Sequence, residues 1–379
     1  MGSIPPPSQL ARDLAAWCAH AAELKPLREP EPESLEDLVE FERPAQQALW
    51  DAGWTRWGWP EEVGGLGGSA VLRGVVYDTL WSSGVRAPEA MLTLETLGPA
   101  LHTFAPHLAR RYWGPCVRGD EIWCQAFSEP EAGSDMAAIR TRAEPVDGGW
   151  VVNGQKLWSS MGPCASRTVV LLRTGEPGHR GMAMFLVDLD APGVTVRPTM
   201  ASTGRNHFAE IFFDDVRVPA DRIIGEPGQG WKIAMSLLQW ERGMYAWQRQ
   251  GFLYHKLQEA VRRAGPARAS AHADAIGAAY ADLTALRVRC GRTVRRLAAG
   301  ETPGPEISID KLLLSTTEQS VLDAVVDLAG ERFVLGDDTD SVTDREQWFF
   351  SRAASVYGGA AEIQRTIVAE RVLGLPKGA

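Results

Sequence analysis

The stretch from residue 121 to residue 162 constrains the fold of this chain most strongly, because the period of the sequence pattern changes there. Apolar runs typical of β-strands flank a turn of small and hydroxyl-bearing residues, from Phe127 to Asp135. Glycine and alanine allow the backbone of such a turn to approach a ligand, and its N–H groups and serine hydroxyls can donate hydrogen bonds. From the residues alone, a ligand-binding loop and an ordinary loop on a β-sheet are equally compatible with this pattern.

The run from Gly149 to Trp158 has two apolar segments that meet at Asn153 and Gly154. Asn-Gly is typical of the two-residue turn of a β-hairpin, so we predict a hairpin with its turn at these residues. Two serines follow Trp158 and place hydroxyl donors beside an aromatic face.

Helical patterns lie on both sides of this stretch. Ser34 with Asp37 and Thr343 with Glu346 have the spacing of helix caps, and long helical segments with short connections after residue 231 are typical of a bundle. Short strands between residues 121 and 218 predict a compact antiparallel sheet or barrel. We therefore predict an α+β fold in three parts: an N-terminal all-α domain (1–120), a middle β domain (121–230) and a C-terminal helical bundle (231–379).

Length and composition limit the functional classes. A chain of 379 residues can form two or three domains, and its net charge of −9 argues against nucleic acid or an anionic membrane as the main partner. The five cysteines include no C-x-x-C pair, which favours a reducing compartment and neither a disulfide framework nor a metal site. Without a signal-peptide pattern or an apolar run of membrane-spanning length, the expected location is the cytoplasm.

Four motifs resemble the acyl-CoA dehydrogenase family, and they follow one another in the family's order from about residue 57 to residue 375. They are the S-E-P-x-A-G-S-D turn from Ser128 to Asp135, N-G-x-K-x-W from Asn153 to Trp158, F-D-D-V-R-V-P from Phe213 to Pro219, and Y-G-G-A-A-E-I-Q-R from Tyr357 to Arg365. The chain resembles bacterial members that have a Tyr-Gly-Gly C-terminal turn and a Glu-Arg pair on a helix. The family's order of helices, sheet and helical bundle agrees with the order predicted from the periodicity.

The resemblance implies a flavoenzyme. FAD would bind between the middle sheet and the C-terminal bundle, and the substrate would be an acyl thioester. A carboxylate would remove the α-proton while the β-hydrogen leaves as hydride to the flavin, with an electron-transfer flavoprotein as the acceptor. The family also implies an oligomer, either a homo-oligomer (dimer or tetramer) or a mixed oligomer.

The resemblance assigns six residues to FAD by their position in the motifs: Phe127, Ser128, Ser134, Trp158, Ser160 and Glu362. Trp158 matches the aromatic wall of the flavin site, and Ser160 replaces a threonine that usually contacts flavin N5. Ser134 matches a position that contacts both the pyrophosphate and the pantetheine of the substrate. Glu362 matches the adenosine end.

The catalytic base is expected on a helix. One large group of the family has a glutamate after the C-terminal tyrosine, whereas Gly358 follows Tyr357 here. A second group has the base in a Glu-Arg pair on the first bundle helix, which matches Glu241 and Arg242. The resemblance therefore implies Glu241 as the base, its pKa raised by burial, and Arg242 as its partner beside the substrate. Gly358 retains the backbone N–H that would stabilise the thioester oxygen.

Departures from the family pattern leave other functions open. Ala360 lacks a hydroxyl that usually contacts the flavin, and the motifs that complete a partner's FAD site are not evident at residues 287–292 and 328–330. A flavin-poor partner subunit of a mixed oligomer is therefore one alternative, and a dehydrogenase of carrier-protein-bound acyl groups is another. The small side chains at positions 358 and 360 predict a preference for branched, cyclic or otherwise bulky acyl groups.

Overall fold

The computed structural model describes residues 3–175 and 177–377. Its N-terminal part is helical, and the described helices are α1 (Pro7–Cys18), α2 (Leu35–Asp51), α3 (Ala70–Ser82), α4 (Leu94–Phe104), α5 (Pro106–Leu108) and α6 (Gly114–Arg118). The Ser34 hydroxyl accepts a hydrogen bond from the Asp37 N–H at 3.0 Å, which confirms the predicted cap of α2. Such a cap satisfies one of the backbone donors that a helix start leaves unpaired.

The middle part is a β-sheet formed by β1 (Trp123–Ala126), β2 (Arg142–Val146), β3 (Gly149–Ser160), β4 (Arg167–Arg173), β5 (Met182–Asp188), β6 (Val194–Thr199), β7 (Phe208–Pro219) and β8 (Ile223–Ile224). Its order is β6-β7-β3-β2-β4-β5-β8, with β1 paired to β4. Most pairs are antiparallel, as predicted, but β1 and β2 both run parallel to β4. Residues 168–172 of β4 and 182–187 of β5 are buried, as expected for a strand covered on both faces.

The predicted hairpin turn at Asn153-Gly154 is wrong. Strand β3 continues through both residues, and its register with β7 shifts between Val152 and Gly154. Gly154 has φ +137°, where side chains are strained, so Asn-Gly forms a bulge inside the strand. The β2–β3 hairpin instead turns at residues 147–148, directly after the Val146–Gly149 pair.

The C-terminal part contains α7 (Gly230–Trp240), a π-helical turn (Glu241–Tyr245), α8 (Ala246–Ala271), α9 (Ala273–Ala298), α10 (Ile307–Ala329), α11 (Glu331–Leu335), α12 (Thr339–Arg352) and α13 (Ala361–Ile367). The predicted cap at Thr343 is wrong, because α12 begins at Thr339 and its cap is Asp338. The carboxylate of Asp338 can accept hydrogen bonds from the unpaired N–H groups at the start of the helix. Asp338 precedes Thr343 and Glu346, the pair that the sequence predicted as the cap.

One apolar cluster joins the three parts of the chain. It includes Leu97 of α4, Trp113, Trp123 of β1, Leu186 of β5 and Leu237 of α7, each at most 1% exposed. The predicted order of helices, sheet and helical bundle is confirmed, whereas the domain boundaries at residues 120 and 230 stay a prediction. No described helix combines the length and apolar character that crossing a membrane requires.

Candidate active site

A buried ion pair fixes the turn that follows β1. The Lys156 ammonium donates to a carboxylate oxygen of Glu129 at 2.7 Å and to the carbonyl oxygen of Phe127 at 3.1 Å. Burial lowers the pKa of Lys156 to about 8, and Glu129 acts in the opposite direction. The Leu157 N–H also donates to the carbonyl of Ser128 at 2.9 Å. These bonds hold the turn from Phe127 to Asp135, which we call the flavin-side turn, against strand β3.

Strand β3 turns Trp158 outward at its end. The register with β7 breaks between Lys156 and Ser159, and Trp158 has φ +60°, a conformation that is costly for a large side chain. Trp158 is 53% exposed, and its ring packs edge-to-face with Phe208 at 5.6 Å between centroids. Strain of this kind persists where the surrounding structure enforces it, often at ligand sites. The exposed ring face is therefore available to an aromatic ligand.

The three serines that the motifs predict to bind FAD have hydroxyls that are free to bond a ligand. Within the described residues, Ser128, Ser134 and Ser160 form no side-chain hydrogen bond, and the last two are exposed. A planar ring face with several free hydroxyl donors and acceptors suits a flavin and its pyrophosphate. Phe127 is 7% exposed, and its carbonyl oxygen accepts from the buried Lys156. The residues present thus fit FAD.

Glu362 is not brought into contact with the other predicted flavin residues. It is exposed on α13 and forms an ion pair with Arg365 at 3.7 Å, one turn further along the same helix.

Glu241 and Gly358 are brought together from distant parts of the sequence. A Cβ added at Gly358 would lie 2.8 Å from Oε1 of Glu241. Among the described residues the Glu241 carboxylate has no hydrogen-bond donor, and burial raises its pKa against the opposing charges of Arg242 and Lys311. A carboxylate of this kind is more basic than an exposed one and can accept a proton from a bound molecule.

Arg242 holds the turn that faces Glu241. Its Nε donates to the carbonyl oxygen of Gly358 at 3.3 Å, and burial lowers its pKa. Gly358 has φ +63°, where glycine is favoured, and its N–H has no acceptor within the described chain. The predicted base, its arginine neighbour and a free backbone donor therefore share one location.

Sequence reasoning missed Lys311 and two tyrosines beside this location. Lys311 is 2% exposed, donates to the carbonyl of Ala354 and lies 4.1 Å from the ring centre of Tyr357. Tyr357 and Tyr245 have their hydroxyl oxygens 3.4 Å apart. Tyr245 could have been found, since it follows Glu241 by four residues on one helix face. Lys311 gave no such signal, because only packing of α10 brings it here.

Two family models match most of this architecture. The middle domain of acyl-CoA dehydrogenases matches residues 124–216, and the C-terminal domain matches residues 228–373. Acyl-CoA dehydrogenase IpdE1 of Mycobacterium tuberculosis is 37% identical over 347 residues, 90% of each chain. Cyclohexane-1-carbonyl-CoA dehydrogenase of Geobacter metallireducens is 34% identical over 213 residues, 54% of this chain and 55% of that protein. The solved structure of the Tcur3481-Tcur3483 steroid ACAD covers 100% of both chains with a TM-score of 0.84 and 24% identity, which supports the fold.

These matches, together with a site that fits a flavin, define the class as flavoprotein oxidoreductases. The chain belongs to the acyl-CoA dehydrogenase family. It is an FAD enzyme that acts on the CH–CH bond of acyl-CoA thioesters, and members of this family are typically oligomeric.

Proposed function

We propose that Glu241 is the base that removes the α-proton of the acyl thioester. The observation that carries this assignment is the position of its carboxylate, 2.8 Å from where a side chain at Gly358 would begin. A helix-borne carboxylate thus occupies the space that a glutamate at position 358 would otherwise enter. Its raised pKa brings the acceptor closer to the pH at which proton transfer is efficient.

The turn at Gly358 would stabilise the charge that develops on the thioester oxygen. The unpaired N–H of Gly358 can donate to that oxygen without a rearrangement of the backbone. Arg242 fixes the turn by donating to the Gly358 carbonyl. Preorganised donors of this kind lower the barrier to enolate-like states. Arg242 therefore acts on the substrate side by positioning the turn.

The FAD site would be formed by the six residues that the motifs indicate: Phe127, Ser128, Ser134, Trp158, Ser160 and Glu362. FAD, when bound, accepts the hydride that leaves the β-carbon of the substrate. The Trp158 face would orient the ring and exclude water, while the free serine hydroxyls would hold polar atoms of the cofactor. Ser134 would also contact the pantetheine.

The proposed substrate is a bulky acyl-CoA. The Glu241 carboxylate fills the space beside Gly358, so the small side chain of Ala360 is what supports this preference at the C-terminal turn. A relative of this chain is named for a cyclohexane-ring thioester. Electron-transfer flavoprotein is the proposed electron acceptor, and the proposed assembly is a dimer, a tetramer or a mixed oligomer. A carrier-protein thioester remains the alternative substrate.

A flavin-poor partner subunit is the competing function. Arg287, within the region where the cross-subunit FAD motif is not evident, forms an ion pair with Asp78 at 2.7 Å and packs over Trp247. These contacts use the side chain within its own subunit. The free serines and the Glu241–Gly358 arrangement favour a catalytic subunit.

A visible absorption spectrum of the purified protein tests the proposal. We expect flavin absorbance, and anaerobic mixing with CoA thioesters should bleach it. In a panel of thioesters, branched or ring-bearing acyl groups should have a higher catalytic efficiency than butyryl-CoA, because one methylene changes selectivity by about 1–3 kcal/mol. A colourless protein would support the partner-subunit function, and a preference for butyryl-CoA would contradict the bulky substrate.

A further inference from the structure

Lys311 is a buried cation beside the proposed base. It lies on α10 and is 2% exposed, so its ammonium is held away from bulk water. A buried charge is costly unless neighbouring groups stabilise it. The groups around Lys311 therefore indicate what its charge does in this site.

The turn at Gly358 has Lys311 and Glu241 beside the same point. A Cβ added at Gly358 would lie 2.8 Å from Oε1 of Glu241 and 3.6 Å from Cε of Lys311, the carbon that carries the ammonium. The two side chains reach this point from different elements, one from α10 and the other from the π-helical turn before α8. The base and the lysine are therefore neighbours across the turn.

Two contacts fix the ammonium of Lys311. It donates to the carbonyl oxygen of Ala354, and its Nζ lies 4.1 Å from the ring centre of Tyr357. A cation over an aromatic face is attracted to the ring, and both contacts belong to the segment that leads into Gly358. The charge of Lys311 therefore has a fixed position beside the turn.

Glu241 is the carboxylate near Lys311 that no donor satisfies. Glu318, on the same helix as Lys311, also stabilises the lysine charge, but both of its oxygens are occupied. Arg249 donates to one oxygen at 2.6 Å, and the Tyr357 hydroxyl donates to the other at 3.1 Å. Glu241 accepts no hydrogen bond among the residues that the structure describes, so its charge depends on nearby cations.

The two members of the pair stabilise one another's charge. Burial raises the pKa of Glu241, and the cations Arg242 and Lys311 oppose this effect. Burial lowers the pKa of Lys311 to about 8, which Glu241 and then Glu318 oppose, while Arg242 acts in the same direction as burial. Arg242 donates to the Gly358 carbonyl at 3.3 Å from the side of the base, whereas Lys311 approaches from α10.

We propose that Lys311 is a positioning residue for proton transfer, whose ammonium keeps the buried Glu241 carboxylate ionised and so able to accept the α-proton. Burial alone favours the neutral carboxylic acid, which cannot act as a base, and a fixed cation nearby favours the carboxylate. This inference rests on the proposed function, since it takes Glu241 as the base.

An infrared titration of the FAD-loaded protein tests the pairing without turnover. The C=O band of protonated Glu241 is the one that is absent from Glu241→Gln, and its loss with rising pH measures the pKa of Glu241. In Lys311→Met this pKa should rise by about 1 pH unit or more, because a nearby opposite charge typically lowers a carboxyl pKa by about 1–3.

Two further variants at this position separate charge from packing. Lys311→Gln is also neutral, but its amide can donate to the Ala354 carbonyl, and it should show the same rise as Lys311→Met. Lys311→Arg keeps a cation and should leave the pKa of Glu241 close to that of the wild type.

Lys256→Met is the matched control for loss of a buried lysine. Lys256 is 6% exposed and forms an ion pair with Asp344 at 2.7 Å. Fifteen residues at 1.5 Å each separate it from Glu241 by about 22 Å along the helix axis. Its variant should therefore keep the wild-type titration of Glu241, even where the protein becomes less stable.

Stopped-flow flavin reduction across pH gives the kinetic counterpart. In Lys311→Met the acid limb should move to higher pH with the pKa of Glu241, so well below that pKa the rate should fall by about 10-fold. At higher pH the rate should recover. A purely structural role would lower the rate at every pH alike and leave the titration of Glu241 unchanged.

The inference is overturned if the pKa of Glu241 is unchanged in both neutral variants, or if Lys256→Met raises it as much as they do. Failure of the proposed function has a different signature. If the neutral variants raise the pKa of Glu241 while the acid limb stays in place, the pairing of Lys311 with Glu241 stands and the assignment of Glu241 as the base is refuted.

Discussion

At the scale of single residues, the account depends on how closely Glu241 approaches the turn at Gly358. A side-chain carbon at position 358 would lie 2.8 Å from the Glu241 carboxylate and would have to displace it. The same residue has φ +63°, which disfavours any side chain. Glycine at this position is therefore part of the arrangement that leaves room for a helix-borne base.

Gly358→Ala should lower the rate of flavin reduction by roughly 10²-fold, because a 1 Å displacement of a reacting group can have an effect of this size. The matched control is Gly84→Ala, where φ is +67° and an added Cβ meets no atom within 4 Å. That variant carries the same backbone strain and should keep the rate. Stopped-flow absorbance of both variants measures the difference, and equal rates would show that the Gly358 contact does not matter.

The residues of this site were only partly predictable from the sequence. The Glu-Arg pair and the missing carboxylate at 358 indicated a base on a helix, and the structure places positions 241 and 358 together. The lining formed by Tyr245, Tyr357 and Lys311 was not predicted. Those contacts depend on how α10 and the C-terminal turn pack against α8, which local sequence patterns do not encode.

At the scale of elements, strand β3 shows why local signals can mislead. Asn-Gly is a strong turn signal, but pairing with β7 on one side and β2 on the other keeps both residues in the strand. The tertiary pairing outweighs the turn preference, and the glycine accommodates a bulge instead. The parallel pairing of β1 and β2 with β4 was not predicted either, because strand direction depends on the path of the chain between strands.

Lys156 links this strand to the flavin-side turn, so its loss should affect both. Lys156→Met leaves the Glu129 carboxylate buried without its cation, which typically costs about 3–5 kcal/mol of unfolding free energy. We expect a lower melting temperature and faster FAD release. Adding Glu129→Gln removes the unpaired charge and should recover part of the loss. Flavin fluorescence on heating measures the melting temperature. If Lys156→Met alone were as stable as the wild type, the anchoring role of Lys156 would be contradicted.

At the scale of the whole molecule, the stability of the fold is coupled to pH through a carboxyl group buried among the N-terminal helices. Glu42 of α2 is 4% exposed and accepts from the Glu89 N–H at 2.8 Å and from Arg86 at 3.2 Å. Burial nevertheless raises the pKa of Glu42 to about 7. The folded protein therefore holds this proton to a higher pH than the unfolded chain does.

This difference predicts the sign of a pH effect on stability. Since the unfolded chain loses the Glu42 proton near its ordinary pKa of 4.5, the contribution of Glu42 to stability is lost as pH rises from about 4.5 to about 7. The loss amounts to at most about 3 kcal/mol. In Glu42→Gln the unfolding free energy should fall less across this window, as urea unfolding at pH 5 and pH 7.5 would show. Exposed Glu33→Gln should follow the wild type, and parallel curves for all three proteins would refute the effect.

The central claim is that Glu241 removes the α-proton, and one measurement tests it most directly. Glu241→Gln keeps the shape of the side chain but removes the proton acceptor, so anaerobic flavin reduction by a thioester substrate should slow by roughly 10²–10⁴-fold. The FAD content and the affinity for the thioester should stay close to those of the wild type. Flavin reduction at a near wild-type rate in Glu241→Gln, or a larger loss in Glu362→Gln, would contradict the assignment.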